Sequence, residues 1–378
     1  MDRNEKDQAL LPARYLCDQT VLCDPENVYA DESRVFQGIP GIECTARGTY
    51  FSAFYTGMDN EKPGNFVLLQ RGHAGEDGIP VFGKSFMAVI PPTPNVRCFD
   101  PCLWISPDGK LRLFYAQSFD FHDGRAGVWM AVCDDPDAEE VRFSAPRRIA
   151  NGVMMNKPIV LSTGEWLLPC SIWKFIDSEW NRLEDERFSN VYCSEDGGET
   201  FSLIGHSAYE DRLIDEHMMY ERADGSVRML IRAKNGIGEA VSYDKGRTWT
   251  DEKDSGLGGP CSRFCVRRLK SGRLLLVNHY RFTGRNNLTA MLSDDDGETW
   301  KGFLTLDERA DVSYPDMAES PDGFLNIIYD YKRYGDKQIF LARVTEEDIL
   351  AGHLVNPKSA LRILVNQATG TVLKFPER

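Results

Sequence analysis

A polar turn closing on glycine, followed by an apolar run, recurs six times along the chain. The copies are RGTYFSAFY at Gly48, DGKLRLFY at Gly109, TGEWLLP at Gly164, DGSVRMLI at Gly225, SGRLLLV at Gly272 and DGFLNIIY at Gly323. The intervals of 61, 55, 61, 47 and 51 residues each have room for four short strands with their loops. Runs of Leu, Ile, Val and aromatic residues behind a two-residue turn with glycine predict β-hairpins. Six such hairpins predict an all-β chain: a six-bladed β-propeller of four-stranded antiparallel blades.

A second repeat agrees with the first. Ser-x-Asp-x-Gly-x-Thr-(Trp/Phe) occurs as SEDGGETF from Ser194, SYDKGRTW from Ser242 and SDDDGETW from Ser293, with starts 48 and 51 residues apart. In a tight turn the Asp accepts backbone N–H groups, the Gly takes positive φ and the aromatic buries against a neighbouring sheet. The stretches near Gly72 and Cys133 read as eroded copies in the first two blades. Residues 1–35 are expected to supply a strand that completes the last blade, and Thr345 followed by EEDILAG predicts a short capped helix. With no Pro- or Ser-rich linker, residues 1–378 are expected to form one domain.

Aligning the hairpins on the residue before each turn glycine predicts where the chemistry lies. Eight positions back are Ile39, Asp100, Met155, Glu216, Arg263 and Tyr314; eight forward from the same residue are Tyr55, Ala116, Ser171, Arg232, His279 and Asp330. Opposite residues of an antiparallel pair are neighbours, and the innermost strands all run the same way along the axis. Asp100, Glu216, Arg263, Tyr314, Arg232, His279 and Asp330 are therefore expected at one mouth of the channel. A wet channel simply lined with polar groups gives the same pattern; a functional site is the other reading.

Composition narrows the partners. Lys plus Arg is 44 and Asp plus Glu is 58, a net charge of 44 − 58 = −14, which argues against nucleic acid or an anionic membrane surface. No apolar run is long enough for membrane insertion. The opening MDRNEKDQALL lacks an apolar signal core, which points to the cytoplasm unless a leader has been removed. The ten cysteines fall mostly in predicted strands and form no CxxC pair; Cys98/Cys102 and Cys261/Cys265, four apart, would share a strand face. Buried free thiols are the expectation there, with no metal and no cofactor.

These motifs resemble the sialidase (neuraminidase) superfamily, whose six-bladed propellers carry the turn repeat as an Asp box. The resemblance spans roughly residues 35 to 345. It implies a tyrosine nucleophile activated by a glutamate, an aspartic acid as acid/base and three arginines that hold a substrate carboxylate. Tyr314 in VSYPDMAESPDGFLNIIYD matches the nucleophile, Glu216 in DEHMMYERADGSVRMLIR the glutamate, and Arg232 the arginine ending that hairpin. Arg285, eight residues before an Asp box, matches another. The residue types suit the chemistry, since a neutral phenol needs a carboxylate to take its proton and guanidinium forks pair with carboxylates.

Two features depart from the pattern. Where the superfamily begins with Arg-Ile-Pro, this chain has Gly38-Ile39-Pro40, so the first arginine is missing. Arg34, Arg97 or Lys157 are candidate replacements, and Arg263 is an extra cation at the mouth. The acid/base is expected near MDNEKPGNF, at Asp59 or Glu61, whereas hairpin register favours Asp100. His217 is either a further acid or base, or a strand-start histidine paired with a carbonyl. The leading expectation is an exo-glycosidase releasing a terminal acidic sugar, with Tyr314, Glu216 and Asp100 or Glu61 as reacting groups. Arg232, Arg285, Arg263, Lys157 and His279 would line the substrate. A uronate lyase using His217, His279 or Tyr314, and a non-catalytic carbohydrate-binding propeller, are the alternatives.

Overall fold

The computed structural model describes residues 20–23, 29–174, 183–214 and 216–371. Six antiparallel sheets are arranged as the blades of a propeller. A short strand, β1 (Thr20–Cys23), precedes blade one, which contains β2 (Phe36–Cys44), β3 (Tyr50–Gly57), β4 (Phe66–Ala74) and β5 (Pro80–Ile90). Blade two contains β6 (Val96–Ile105), β7 (Leu111–Phe119), β8 (Gly127–Cys133) and β9 (Arg147–Asn151). Blade three contains β10 (Ile159–Val160), β11 (Trp166–Ser171), β12 (Ser189–Ser194) and β13 (Ser202–Ser207). Blade four contains β14 (Met218–Glu221), β15 (Val227–Ala233), β16 (Gly236–Ser242) and β17 (Thr250–Asp254). Blade five contains β18 (Cys265–Arg268), β19 (Leu274–His279), β20 (Leu288–Ser293) and β21 (Lys301–Asp307). Blade six contains β22 (Val312–Glu319), β23 (Leu325–Tyr331), β24 (Gln338–Val344) and β25 (Ala360–Gln367).

Each of the six predicted hairpins forms the inner two strands of a blade. The turn glycines all have positive φ, from 79° at Gly109 to 101° at Gly164. That backbone is open to glycine at little cost. The apolar faces are buried between blades rather than within one. Ile42 and Phe54 of blade one share a cluster with Ile328 and Leu341 of blade six, which closes the ring.

The last blade is made differently from the expectation. Its fourth strand is β25, from the C-terminal side, whereas β1 adds a fifth strand to blade one by pairing with β5. Of the segment 1–35, residues 1–19 and 24–28 lie outside the described residues. The helix α1 (Glu346–Ala351) forms as expected, with a reciprocal Thr345–Asp348 cap and Gly352 at φ 72°.

The three Asp boxes are superimposable networks at the β12–β13, β16–β17 and β20–β21 turns. In the second, Ser242 Oγ donates to Asp244 Oδ1 at 2.8 Å and accepts from Gly246 N at 2.8 Å. Thr248 gives its N–H to Asp244 Oδ1 at 2.8 Å and its hydroxyl to Oδ2 at 2.7 Å. The same bonds recur at Asp196 and Asp295. The eroded copies keep only a fragment: Asp77 and Asp135 each accept one backbone N–H.

The cysteine pairing by strand face fails at Cys98/Cys102. A bulge between Phe99 and Cys102 shifts the register by a residue, so Cys98 enters the core between blades one and two and Cys102 the core between two and three. Cys261 precedes β18 and is only partly buried.

Asp boxes lie at the far end of the strands from the predicted site. Asp244→Ala should therefore destabilise the fold by about 1 kcal/mol, the usual worth of such hydrogen bonds, and leave ligand binding at the other mouth unchanged. Parallel thermal melts and binding isotherms check this.

Candidate active site

Hairpin register brings the site together through a local irregularity. In blades one, two and six the inner strand bulges, and the bulged residues Ile39, Asp100 and Tyr314 have φ of 55°, 50° and 56°. Each is followed by proline: Pro40, Pro101 and Pro315. Proline has no N–H for the ladder, so an inner strand that contains one is interrupted there. The bulge re-aims the preceding side chain. Those three x-Pro pairs were the readable signal for it.

The re-aimed side chains line a cavity of about 690 Å³ at one mouth of the channel. Tyr314 Oη donates to Glu216 Oε1 at 2.7 Å and accepts from Arg232 Nη1 at 3.0 Å. The same Arg232 nitrogen lies 2.7 Å from Glu216 Oε1. Its other terminal nitrogen donates to the Cys261 carbonyl at 3.0 Å, which also takes a bond from Arg285 Nη2 at 3.1 Å. Glu216 Oε2 has no hydrogen-bond partner among the described residues. Burial and the Glu216 anion hold the Tyr314 phenol above its ordinary range, against the opposing pull of Arg232, Arg333 and Arg285. The phenol is therefore neutral and already in contact with a proton acceptor.

Asp100 enters from the blade-two bulge and is buried, with Oδ1 unpartnered among the described residues. Burial first, then Glu61 and Glu216, push its carboxyl up to about 8, while Arg97 and Arg333 pull the other way. Glu61 also lines the cavity but accepts from Arg333 Nη1 and from Tyr334 Oη, both at 3.1 Å. Asp59 is exposed and paired with Lys62. Phe121, Met155, Trp173 and Ile214 form an apolar wall.

Four of the residues expected at the substrate lie elsewhere. His217 is fully buried with Nε2 2.8 Å from the Asn190 carbonyl. His279 turns Nδ1 to the Asn286 carbonyl at 2.8 Å, and burial lowers its imidazole to about 4. Arg263 is locked in the channel wall, donating to Asn156 Oδ1 at 2.6 Å and the Met155 carbonyl at 3.0 Å. Lys157 faces a second cavity at the other end of the channel, bonded to Ile42 O at 2.6 Å and Leu103 O at 2.5 Å and paired with Glu43 and Asp316. Strand register gives a residue's height along the channel, but these side chains found buried carbonyls and carboxylates closer than the cavity.

Nor do the candidate replacements for the first arginine reach the site. Arg34 is buried with Thr56 and Asn366. Arg97 stands behind the wall, over the Phe99 and Phe121 rings. Besides Arg232 and Arg285, the cations that line it are Lys332 and Arg333, just past β23; Arg333 is the buried one. Its guanidinium lies 4.0 Å from the Tyr314 ring centre and its Nε donates to Asp330 Oδ2 at 2.8 Å.

Six four-stranded blades with Asp-box turns give the chain the fold of the sialidase propellers. Over residues 87–327, more than half its length, the chain matches the BNR repeat-like domain family, and it belongs to that family. A leech intramolecular trans-sialidase solved with 2,7-anhydro-Neu5Ac is similar at TM-score 0.66 and 13% identity, over 85% of this chain and 69% of that one. An intramolecular trans-sialidase from Ruminococcus gnavus, in complex with oseltamivir carboxylate, gives 0.65 and 11%, over 85% and 96%. A protein of unknown function from Dyadobacter fermentans gives 0.62 and 16%, over 85% and 95%. At such identities the likeness establishes the fold. No curated protein matches the chain.

The raised carboxyl of Asp100 has a consequence for stability. Its folded value of about 8 lies above the ordinary 3.8, so the protonated form is favoured by folding. That contribution is full below 3.8 and is lost as pH rises to about 8. Asp100→Asn should gain melting temperature over wild type progressively between those limits, and a gain that does not grow with pH would contradict the burial account.

Proposed function

We propose that this protein is a retaining exo-glycosidase that releases a terminal acidic sugar, sialic acid or a related one, from glycans. The observation that carries the reading is the buried Tyr314–Glu216 hydrogen bond of 2.7 Å with Arg232 against the same phenol oxygen. A base already bonded to a phenol is the arrangement nucleophilic catalysis requires. Glu216 accepts the proton while Tyr314 Oη forms a bond to the anomeric carbon and the glycosidic C–O bond breaks. Asp100, protonated at neutral pH, gives its proton to the leaving oxygen; as a carboxylate it then takes one from the water that bonds to the anomeric carbon, while the bond to Tyr314 Oη breaks and Glu216 returns its proton to the phenol oxygen. A tyrosine in place of the second carboxylate is a known variation of the retaining scheme. Glu61 is occupied as an acceptor from two donors, which favours Asp100 as the acid. Arg232 and Arg285 supply guanidinium groups for the sugar carboxylate.

The uronate-lyase alternative has less support, because His217 and His279, its two imidazole bases, both face backbone carbonyls. A binding module gains nothing from a base beside a buried tyrosine.

The test is release of free sugar from a panel of terminal sialosides and uronosides. Wild type should release an acidic sugar with kcat/KM falling as pH passes about 8, where Asp100 ionises. Tyr314→Phe should lose at least about a hundredfold in rate while binding stays nearly intact. An unsaturated product absorbing in the ultraviolet would instead assign a lyase, and binding without turnover a carbohydrate-binding propeller.

A further inference from the structure

Gly38 and Arg333 compete for one volume. A Cβ added to Gly38 would lie 2.6 Å from Arg333 Cδ, 2.8 Å from Cγ and 3.0 Å from Nε. The stem of Arg333, from the last blade, thus occupies the space that any side chain at position 38 of the first blade would enter. No positive φ restricts Gly38, so its lack of a side chain answers to this contact rather than to its backbone.

The guanidinium is held as a positioned group. Nε donates to Asp330 Oδ2 at 2.8 Å, Nη1 to Glu61 Oε1 at 3.1 Å and Nη2 to Ser313 Oγ at 3.2 Å. Asp330 is itself fixed, accepting from the Ile39 N–H at 2.8 Å and from Ser313 Oγ at 2.7 Å. An arginine has five N–H donors. Three are used among the described residues, leaving one on each terminal nitrogen of a group that lines the cavity. Two donors on adjacent nitrogens form the fork that carboxylates accept. Arg285 lies 5.5 Å and Arg333 4.0 Å from the Tyr314 ring centre, and Arg232 bonds its hydroxyl. The nucleophile candidate is thereby surrounded by three guanidinium groups.

We propose that Arg333 is the specificity-determining cation of this site, binding the sugar carboxylate from blade six in the volume left open by Gly38 of blade one. The proposal rests on the acidic-sugar reading. The glycine is the steric complement of the arginine, so the two positions are exchangeable: an arginine at 38 fits once that at 333 is removed.

Calorimetric binding of the methyl glycosides of N-acetylneuraminic, glucuronic and galacturonic acids, each against its carboxamide, tests both levels separately. Wild type should prefer at least one acid to its amide; no preference for any acid would sink the acidic-sugar reading, and this proposal with it. Given a preference, Arg333→Ala should reduce it about thirtyfold, as expected for loss of a charge-assisted pair. Gly38→Arg alone should bind worse than wild type, because two stems compete. The double variant Gly38→Arg/Arg333→Ala should recover at least about tenfold of the lost preference. An unchanged acid-over-amide ratio in Arg333→Ala, or a double variant no better than Arg333→Ala, overturns the proposal while leaving the glycosidase reading standing. Should Arg333→Ala fail to fold, Arg333→Gln and Arg333→Lys are compared by the same ratio. The preference must then fall in Gln and be partly kept in Lys, and equal ratios in all three proteins overturn it.

Discussion

The seam between the first and last blades is the constraint on which this structure depends. Each blade has two apolar faces and only its neighbours can cover them, so the ring has to close. Blade six takes its outer strand from its own C-terminal side, and side chains tie the seam where a shared sheet would otherwise do so. Two buried carboxylates of blade six reach across it: Asp330 to the N–H of Ile39 and Asp316 to the N–H of Ile42. Further out, Arg34 meets Asn366, and the N–H of Thr369 donates to the Asp31 carbonyl. Buried charged acceptors with backbone donors are stronger than neutral pairs and costly to leave unmade.

The candidate site is built on that same seam. Asp330 holds blade one by its backbone and Arg333 by its guanidinium, so the groups that close the ring also set the cavity wall. Strain is present beside them as well as in outer turns. Three non-glycine residues in the left-handed region, each costing about 1 kcal/mol or more, sit at equivalent positions in blades six, one and two. Two of them, Asp100 and Tyr314, carry the chemistry proposed here, and Ile39 supplies the N–H that Asp330 accepts. Backbone strain of this kind persists only where surrounding packing over-determines it, as the cluster of Phe36, Tyr55, Phe99 and Met155 does.

The acids of the cavity have different neighbours. Glu216 lies against Arg232, Glu61 against Arg333, and Asp100 against neither within hydrogen-bond reach. The carboxylate without a cation partner is the one that burial pushes up to about 8. Pairs of titratable groups whose surroundings drive their protonation apart are how one pocket provides both an acid and a base. The fold does not supply that division, since propellers of this class host it only where particular side chains are placed.

The blade count, the inner hairpins, the Asp boxes and the short helix α1 were legible in the chain alone, because each rests on local rules: strand alternation, glycine at positive φ, a capping Thr. Tyr314, Glu216, Arg232 and Asp100 were legible too, since a repeated hairpin converts sequence distance into height along the channel. Height does not say which way a long side chain turns. Arg263 and His217 bond to carbonyl oxygens from other blades, His279 turns to Asn286 in its own hairpin, and Lys157 bonds to Leu103 at the other end of the channel. Arg333 was invisible for the converse reason. It lies three residues beyond an aligned position, and only ring closure places it over Gly38, nearly three hundred residues away in the chain. Local chemistry determined the blades and the candidate reacting groups; the competition among buried partners, decided once the ring shuts, determined which cations face the cavity.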